Sequence, residues 1–138
     1  MRFLLDTCVL SDGARPGKFP RLNEWLDAQD AADLAIAAVT VGELRYGIQR
    51  LPAGRKRERL KRWLDAELLP GFGERVLPVD AAVAEMWALL RASGDEMGRP
   101  LPLVDGLLLA TAHARRLTFV TRNLADVEDR GVSVLTPY

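Results

Sequence analysis

Four acids and one amide stand where a chain of this kind could do chemistry: Asp6, Glu43, Asp105, Asp126 and Asn123. No Lys or Arg adjoins any of the four acids in the sequence. Brought close together, such carboxylates cannot all ionise without a cation, because each raises the pKa of its neighbours. Oxygen ligands in that arrangement suit Mg²⁺ or Mn²⁺, which keep water and leave positions for phosphate oxygens. Each acid also has a plainer use. Asp6 reads as a turn residue after a strand, and Glu43 completes a Thr40-x-x-Glu43 capping box. Asp105 complements the positive end of a helix dipole, and Asp126 falls in a polar stretch that water would solvate. Their joint placement decides between the two uses, so the elements that carry them come next.

Phe3–Leu5 is an apolar run that stops at Asp6-Thr7, the pattern of a buried strand ending in a functional loop. Pro20 opens a helix with Leu22, Trp25, Leu26 and Gln29 on one stripe, and residues 33–37 read as a second strand. Residues 40–50 are helical, with Val41, Leu44 and Ile48 on one face. After Pro52-Ala53-Gly54, a basic amphipathic helix is expected over 55–69, stopped by Pro70-Gly71. Residues 75–79 read as a third strand, and Asp80 caps a helix through Arg91, followed by a loop over 94–100. Pro102 suits the first turn of a helix over 102–115. Residues 117–120 and 132–135 supply strands four and five. Short strands alternating with helices predict a three-layer α/β/α sandwich around a parallel sheet of five strands, one domain over 1–138. In open sheets of this type ligands bind beyond the carboxyl ends of the strands, which is where these acids fall.

Composition narrows the class further. The chain has 138 residues, 49% hydrophobic and 28% charged, with one Cys and one His, which excludes a disulfide framework within the chain and any Cys/His zinc cage. No apolar run approaches the roughly 18 residues needed to cross a bilayer, and the N-terminal run is too short for a signal peptide, so a cytoplasmic protein with no membrane partner is expected. Nineteen basic and nineteen acidic residues cancel, yet their distribution is uneven. Between Arg45 and Arg62, eight basic residues face only Glu58, a local net charge of +7. Such a stripe either tracks a phosphate backbone or is a solvated helix face. His113 lies eight residues beyond Asp105, roughly 80° around a helix and about 12 Å along it, and reads as a surface or packing residue.

The blocks around these acids resemble a known family. Leu4-Leu5-Asp6-Thr7-Cys8-Val9-Leu10 resembles the opening of PIN-domain ribonucleases of the VapC toxin type, where Asn commonly stands at the position of Cys8. Thr40-Val-Gly-Glu43-Leu-Arg45-Tyr-Gly47 is similar to their second motif and Leu103-Val-Asp105-Gly-Leu-Leu-Leu-Ala110-Thr111-Ala112 to their third. Thr121-Arg122-Asn123-Leu-Ala-Asp126 and the closing Val134–Tyr138 resemble the last segment. The resemblance implies a Mg²⁺- or Mn²⁺-dependent endoribonuclease, encoded beside a VapB-like antitoxin that occupies its active site. By position, Asp6, Glu43 and Asp105 match the family's three acidic site residues and are the implied metal ligands. Many members carry the fourth acid directly after Thr-Arg. This chain has Asn123 there, and Asp126 is expected to supply the carboxylate while Asn123 orients it or a water.

Around the ligands, Thr7, Cys8, Thr40, Arg45, Thr121 and Asn123 are expected to support them or the substrate. Arg55, Arg57 and Lys61 are expected to meet RNA or the acidic part of the antitoxin, and apolar residues over 63–69 to form a homodimer contact. Phosphatase readings fail on single positions: a haloacid-dehalogenase-like site needs Asp where Cys8 stands, and a cysteine phosphatase needs Arg where Ala14 stands. The non-enzymatic alternative is a PIN-like module with a degraded site that only binds a partner.

Overall fold

Alternation along short strands fixes the layers of the molecule, which is described over residues 1–138 by a computed structural model. In β1 (Phe3–Leu5), β2 (Leu34–Ala37), β3 (Val76–Leu77), β4 (Thr118–Val120) and β5 (Val134–Leu135), successive side chains enter different cores. Leu4, Ala35, Ala37, Leu77 and Phe119 belong to one cluster. Phe3, Leu5, Ile36 and Val120 belong to another on the opposite face. A sheet covered on both faces draws on continuous apolar runs rather than alternating ones, the signature of parallel sheets between helical layers. All pairings are parallel and the strand order is β3-β2-β1-β4-β5. The predicted α/β/α sandwich with a five-stranded parallel sheet is what the chain forms.

The first cluster is closed by α6 (Ala81–Glu96) and α7 (Leu103–Ala114), the second by α1 (Thr7–Gly13) and α2 (Pro20–Asp27). A third, smaller cluster joins α3 (Ala38–Gln49) to the segment after α4 (Arg55–Arg62) through Leu44, Ile48 and Leu64. Strand order reverses at β1, with β2 and β3 on one side and β4 and β5 on the other. A crevice therefore opens between the carboxyl ends of β1 and β4.

Several expected boundaries move, each for a local reason. No loop follows Asp6: α1 begins at Thr7, with Asp6 as its N-cap in extended conformation. Helix α3 begins at Ala38, so Thr40 lies inside it, fully buried, and the Thr40/Glu43 capping box does not form. The basic stretch is not one helix. It passes from α4 into a π-helical turn (Trp63–Leu68) and then α5 (Leu69–Phe72), where Pro70 occupies the first turn instead of stopping the chain. The break falls at Gly73, whose φ of 53° lies in the left-handed region. Helix α6 runs on to Glu96 instead of ending at Arg91.

Two glycines of this frame matter to the crevice. A Cβ at Gly106 would lie 3.0 Å from Trp87 Cδ1, so the first turn of α7 is pressed onto α6. A Cβ at Gly94 would meet the Arg99 carbonyl oxygen at 2.7 Å and Arg130 Nη1 at 2.8 Å. The absence of a side chain there lets the chain after α6 close against the segment leading to β5.

Candidate active site

Asp6 is delivered by β1 and held by its neighbours across the crevice. Its Oδ1 accepts from the Thr7 backbone N–H at 2.7 Å, and its Oδ2 accepts from the Thr121 hydroxyl at 2.7 Å and from the Cys8 thiol at 3.6 Å. Thr121 is the first residue beyond β4, so this contact spans the point where the strand order reverses. Thr121 in turn accepts from the Asn123 backbone N–H at 3.3 Å. The Thr7 hydroxyl donates to Glu43 Oε1 on α3 at 2.5 Å and lies 3.2 Å from the buried Thr40 hydroxyl. Two adjacent residues of α1's start thus orient two acids from different elements.

Asp105 enters from the first turn of α7, half-buried. Burial raises its pKa above the ordinary carboxylate value, and the negative charges of Asp6, Asp126 and Glu43 raise it further, against a smaller opposing pull from Arg130. Asp105 thus feels the charge of the other three predicted acids, and the Thr7 hydroxyl ties Glu43 to the start of α1 beside Asp6. None of the four takes part in any of the protein's ion pairs.

Asp126 arrives by a different route, on the irregular segment between β4 and β5, with its side chain exposed. Val127 anchors that segment in the core. Two arginines brace its backbone: Arg99 donates to the carbonyls of Ala125 and Glu128, and Arg130 to those of Asp126 and Arg99. Sequence reasoning missed both arginines: Arg99 lies 26 residues from the carbonyl of Ala125 that it holds, and Arg130, only four residues from Asp126, acts on its backbone carbonyl, which no charge pattern marks.

The remaining predicted residues divide. Cys8 is a half-buried thiol whose pKa is raised chiefly by burial, so it packs and donates weakly to Asp6. Asn123 is exposed and contributes its backbone N–H. Arg45, expected beside the site or substrate, is instead bound to Asp65 across the α3–α4 packing, where the guanidinium holds the Asp65 carboxyl below its usual range. Arg55 and Lys61 are exposed on α4, while Arg57 donates to Gln49 at 2.5 Å. The apolar residues expected to make a homodimer contact are largely spent within the chain: Leu64 is fully buried, and Trp63, Leu68 and Leu69 pack against it. His113 is exposed.

A buried acid absent from the sequence reading lies six residues beyond Asp6. Asp12 is 4% exposed. Its Oδ2 accepts from Arg122 Nη1 at 2.9 Å and from the Tyr138 hydroxyl at 2.7 Å. Tyr138 also sets its ring edge-on to Phe19. Burial and the contact with Asp12 push the Tyr138 hydroxyl well above its ordinary pKa.

No three His, Cys, Asp or Glu side chains are gathered closely enough to cage a metal ion by themselves. The four acids nonetheless fit a hydrated divalent ion. Mg²⁺ is commonly held through one or two carboxylates plus water rather than by an all-protein cage. A half-buried acid outside any ion pair, its pKa raised by burial and by the charge of three other acids, is the donor chemistry such an ion relieves.

A parallel sheet with paired hydroxyls and carboxylates at its point of strand reversal defines an α/β protein with an acidic edge. The chain belongs to the PIN domain family, whose model matches residues 3–125. It is 36% identical over 135 residues to the toxin FitB of Neisseria gonorrhoeae, covering 98% of this chain and 97% of that protein. The crystal structure of FitAcB from that organism superposes with a TM-score of 0.92 at 36% identity, over 98% of this chain and 97% of that one. The VapC ribonuclease Y4jK of Sinorhizobium fredii is 33% identical over 98% of this chain and 96% of its own length. A toxin–antitoxin complex from Klebsiella pneumoniae superposes with a TM-score of 0.72 at 28% identity, over 98% of this chain and 97% of that one. No helix is long and apolar enough to cross a membrane.

Proposed function

We propose that the protein is the ribonuclease toxin of a toxin–antitoxin pair, cutting RNA phosphodiester bonds with Mg²⁺ or Mn²⁺ at Asp6, Glu43, Asp105 and Asp126. One observation carries the reading: Asp105 is held half-buried among three acids with no ion pair to relieve any of them. A structural acid would be expected to have found a partner, as Asp12 has. The toxin and ribonuclease names of the relatives support the activity, and the Klebsiella complex supports an antitoxin partner.

In this reading Asp6 and Asp105 hold the cation, and Glu43 and Asp126 add negative charge around it. When bound, a divalent ion neutralises charge building on the phosphate and lowers the pKa of an attacking water. Thr121 and Thr7 fix the carboxylates of Asp6 and Glu43 before substrate arrives, so little reorganisation accompanies the reaction. Asn123 donates to Thr121 only through its backbone, a contact that adds no charge, so the fourth carboxylate in this reading is that of Asp126.

The test is incubation of a mixed-sequence RNA pool with the protein in Mg²⁺, in Mn²⁺ and in chelator, alongside thermal melts. Cleavage confined to the metal samples, with a higher melting temperature in metal, is expected. Cleavage that survives chelation removes the metal site from the mechanism. A metal-dependent melt without cleavage leaves a PIN-like binding module.

A further inference from the structure

Of the nine aromatic rings in the chain, Tyr46 alone is exposed, at 64%. It stands on α3 one turn beyond Glu43, and residues three apart share a helix face. The ring is therefore offered to solvent about 4.5 Å further along the helix from an acid of the candidate site. One turn further on, the Arg50 guanidinium carbon lies 5.5 Å from the Tyr46 ring centroid. Arg50 makes no ion pair, whereas Arg45 on the other side of Tyr46 is occupied by Asp65. The packed neighbour α4 adds exposed Arg55, Lys56, Arg59, Lys61 and Arg62.

We infer that Tyr46 and Arg50 form a stacking platform for one base of a single-stranded RNA whose adjacent phosphate reaches the acidic crevice. An exposed aromatic ring with a guanidinium over one face can take an unstacked base on its other face and the flanking phosphate through charge. A duplex offers no such base, so the platform selects single strands, loops or frayed ends. The inference rests on the ribonuclease reading for its choice of ligand, yet binding tests it apart from cleavage.

The probe is a short single-stranded oligoribonucleotide of mixed sequence carrying 2-aminopurine, titrated in chelator at low salt so that the strand stays whole. The parent protein is expected to quench the fluorescence. Tyr46→Ala should weaken binding roughly tenfold and lose the quench, and Tyr46→Leu should behave like Tyr46→Ala, while Tyr46→Trp keeps both. Arg50→Gln should weaken binding by a smaller factor. Because Tyr46 is exposed, all four variants should melt like the parent. Binding by Tyr46→Ala equal to the parent's, or rescue by Tyr46→Leu, overturns the platform. So does a Tyr46→Ala variant that binds RNA normally and fails only to bind a protein partner. Failure of the ribonuclease reading is seen separately, as a parent that binds and quenches but cuts nothing in metal.

Discussion

Two carboxylates on the same short helix have opposite fates. Asp12, near the end of α1, is 4% exposed, and its Oδ2 accepts from both Arg122 and Tyr138. Asp6, the N-cap of α1, takes neutral donors only, and its charge acts on Asp105, which also feels Asp126 and Glu43. Burial of a charge is tolerated where a cation and a hydroxyl replace water, so the Asp12 site is complete as folded. The Asp6 site has no cation of the chain's own, and in the proposed function a divalent ion would complete it. The difference separates an acid that holds the fold together from acids held in readiness.

The largest expected effect lies on the unpaired side. Asp6→Asn or Asp105→Asn should lower RNA cleavage by at least about a hundredfold, several kcal/mol of lost cation-assisted stabilisation, and should abolish the rise in melting temperature with Mg²⁺. In chelator, Asp105→Asn should melt above the parent at neutral pH. The sign follows from linkage: Asp105 has a folded pKa above its unfolded value, so folding favours the protonated form. The parent therefore loses stability as pH rises from the ordinary carboxylate value of 3.8 through the raised one. Chelator melts across that window check it, and a flat difference between parent and Asp105→Asn would place the acid in water.

The paired side should respond in stability and not in metal dependence. Arg122→Ala should cost about 2 kcal/mol, below the value for a fully buried pair because the arginine is partly exposed. Tyr138→Phe should cost about 1.5 kcal/mol, the loss of one hydrogen bond to a charged group. Denaturant unfolding measures both, and the Mg²⁺-induced shift in melting temperature should match the parent's. A changed metal shift in Tyr138→Phe would show that the two carboxylate sites are coupled through α1.

A smaller effect is expected at the fourth acid. Asp126→Asn should raise the Mg²⁺ concentration for half-maximal cleavage severalfold, and Asn123→Asp should lower it or leave it unchanged, since added negative charge favours the cation. An Asp126→Asn titration that overlays the parent's makes Asp126 a solvated residue and the site one of three acids. The smallest change is expected on α4. Replacing Arg55, Arg57 and Lys61 together by Gln should flatten the salt dependence of single-stranded RNA binding by about 0.7 per lost phosphate contact. Arg57 already donates to Gln49, so the change should fall short of three contacts.

The sequence by itself determined the strands, the layers and the acids. Phe3–Leu5, residues 33–37 and residues 117–120 are short, mainly apolar runs, and a run with no polar alternation has to be covered on both faces. Asp6, Glu43, Asp105 and Asp126 could be named because each lies after a strand, in the helix that follows one or, for Asp105, in the first turn of a helix, toward the edge where open sheets bind ligands. Boundaries at α3 and α4–α5 shifted because local cues were overridden by packing: Thr40 looks like a cap, yet it is buried beside Thr7, and Pro70 looks like a stop, yet it suits a first helical turn. Only the tertiary structure decided which acids stay unpaired. Arg122, Arg130 and Tyr138 lie 110, 4 and 126 residues from the groups they engage on Asp12, Asp126 and Asp12 respectively. Two of those three separations exceed any local pattern, and side-chain pairing across them exists only after the sheet has brought β1, β4 and the C-terminal residues together.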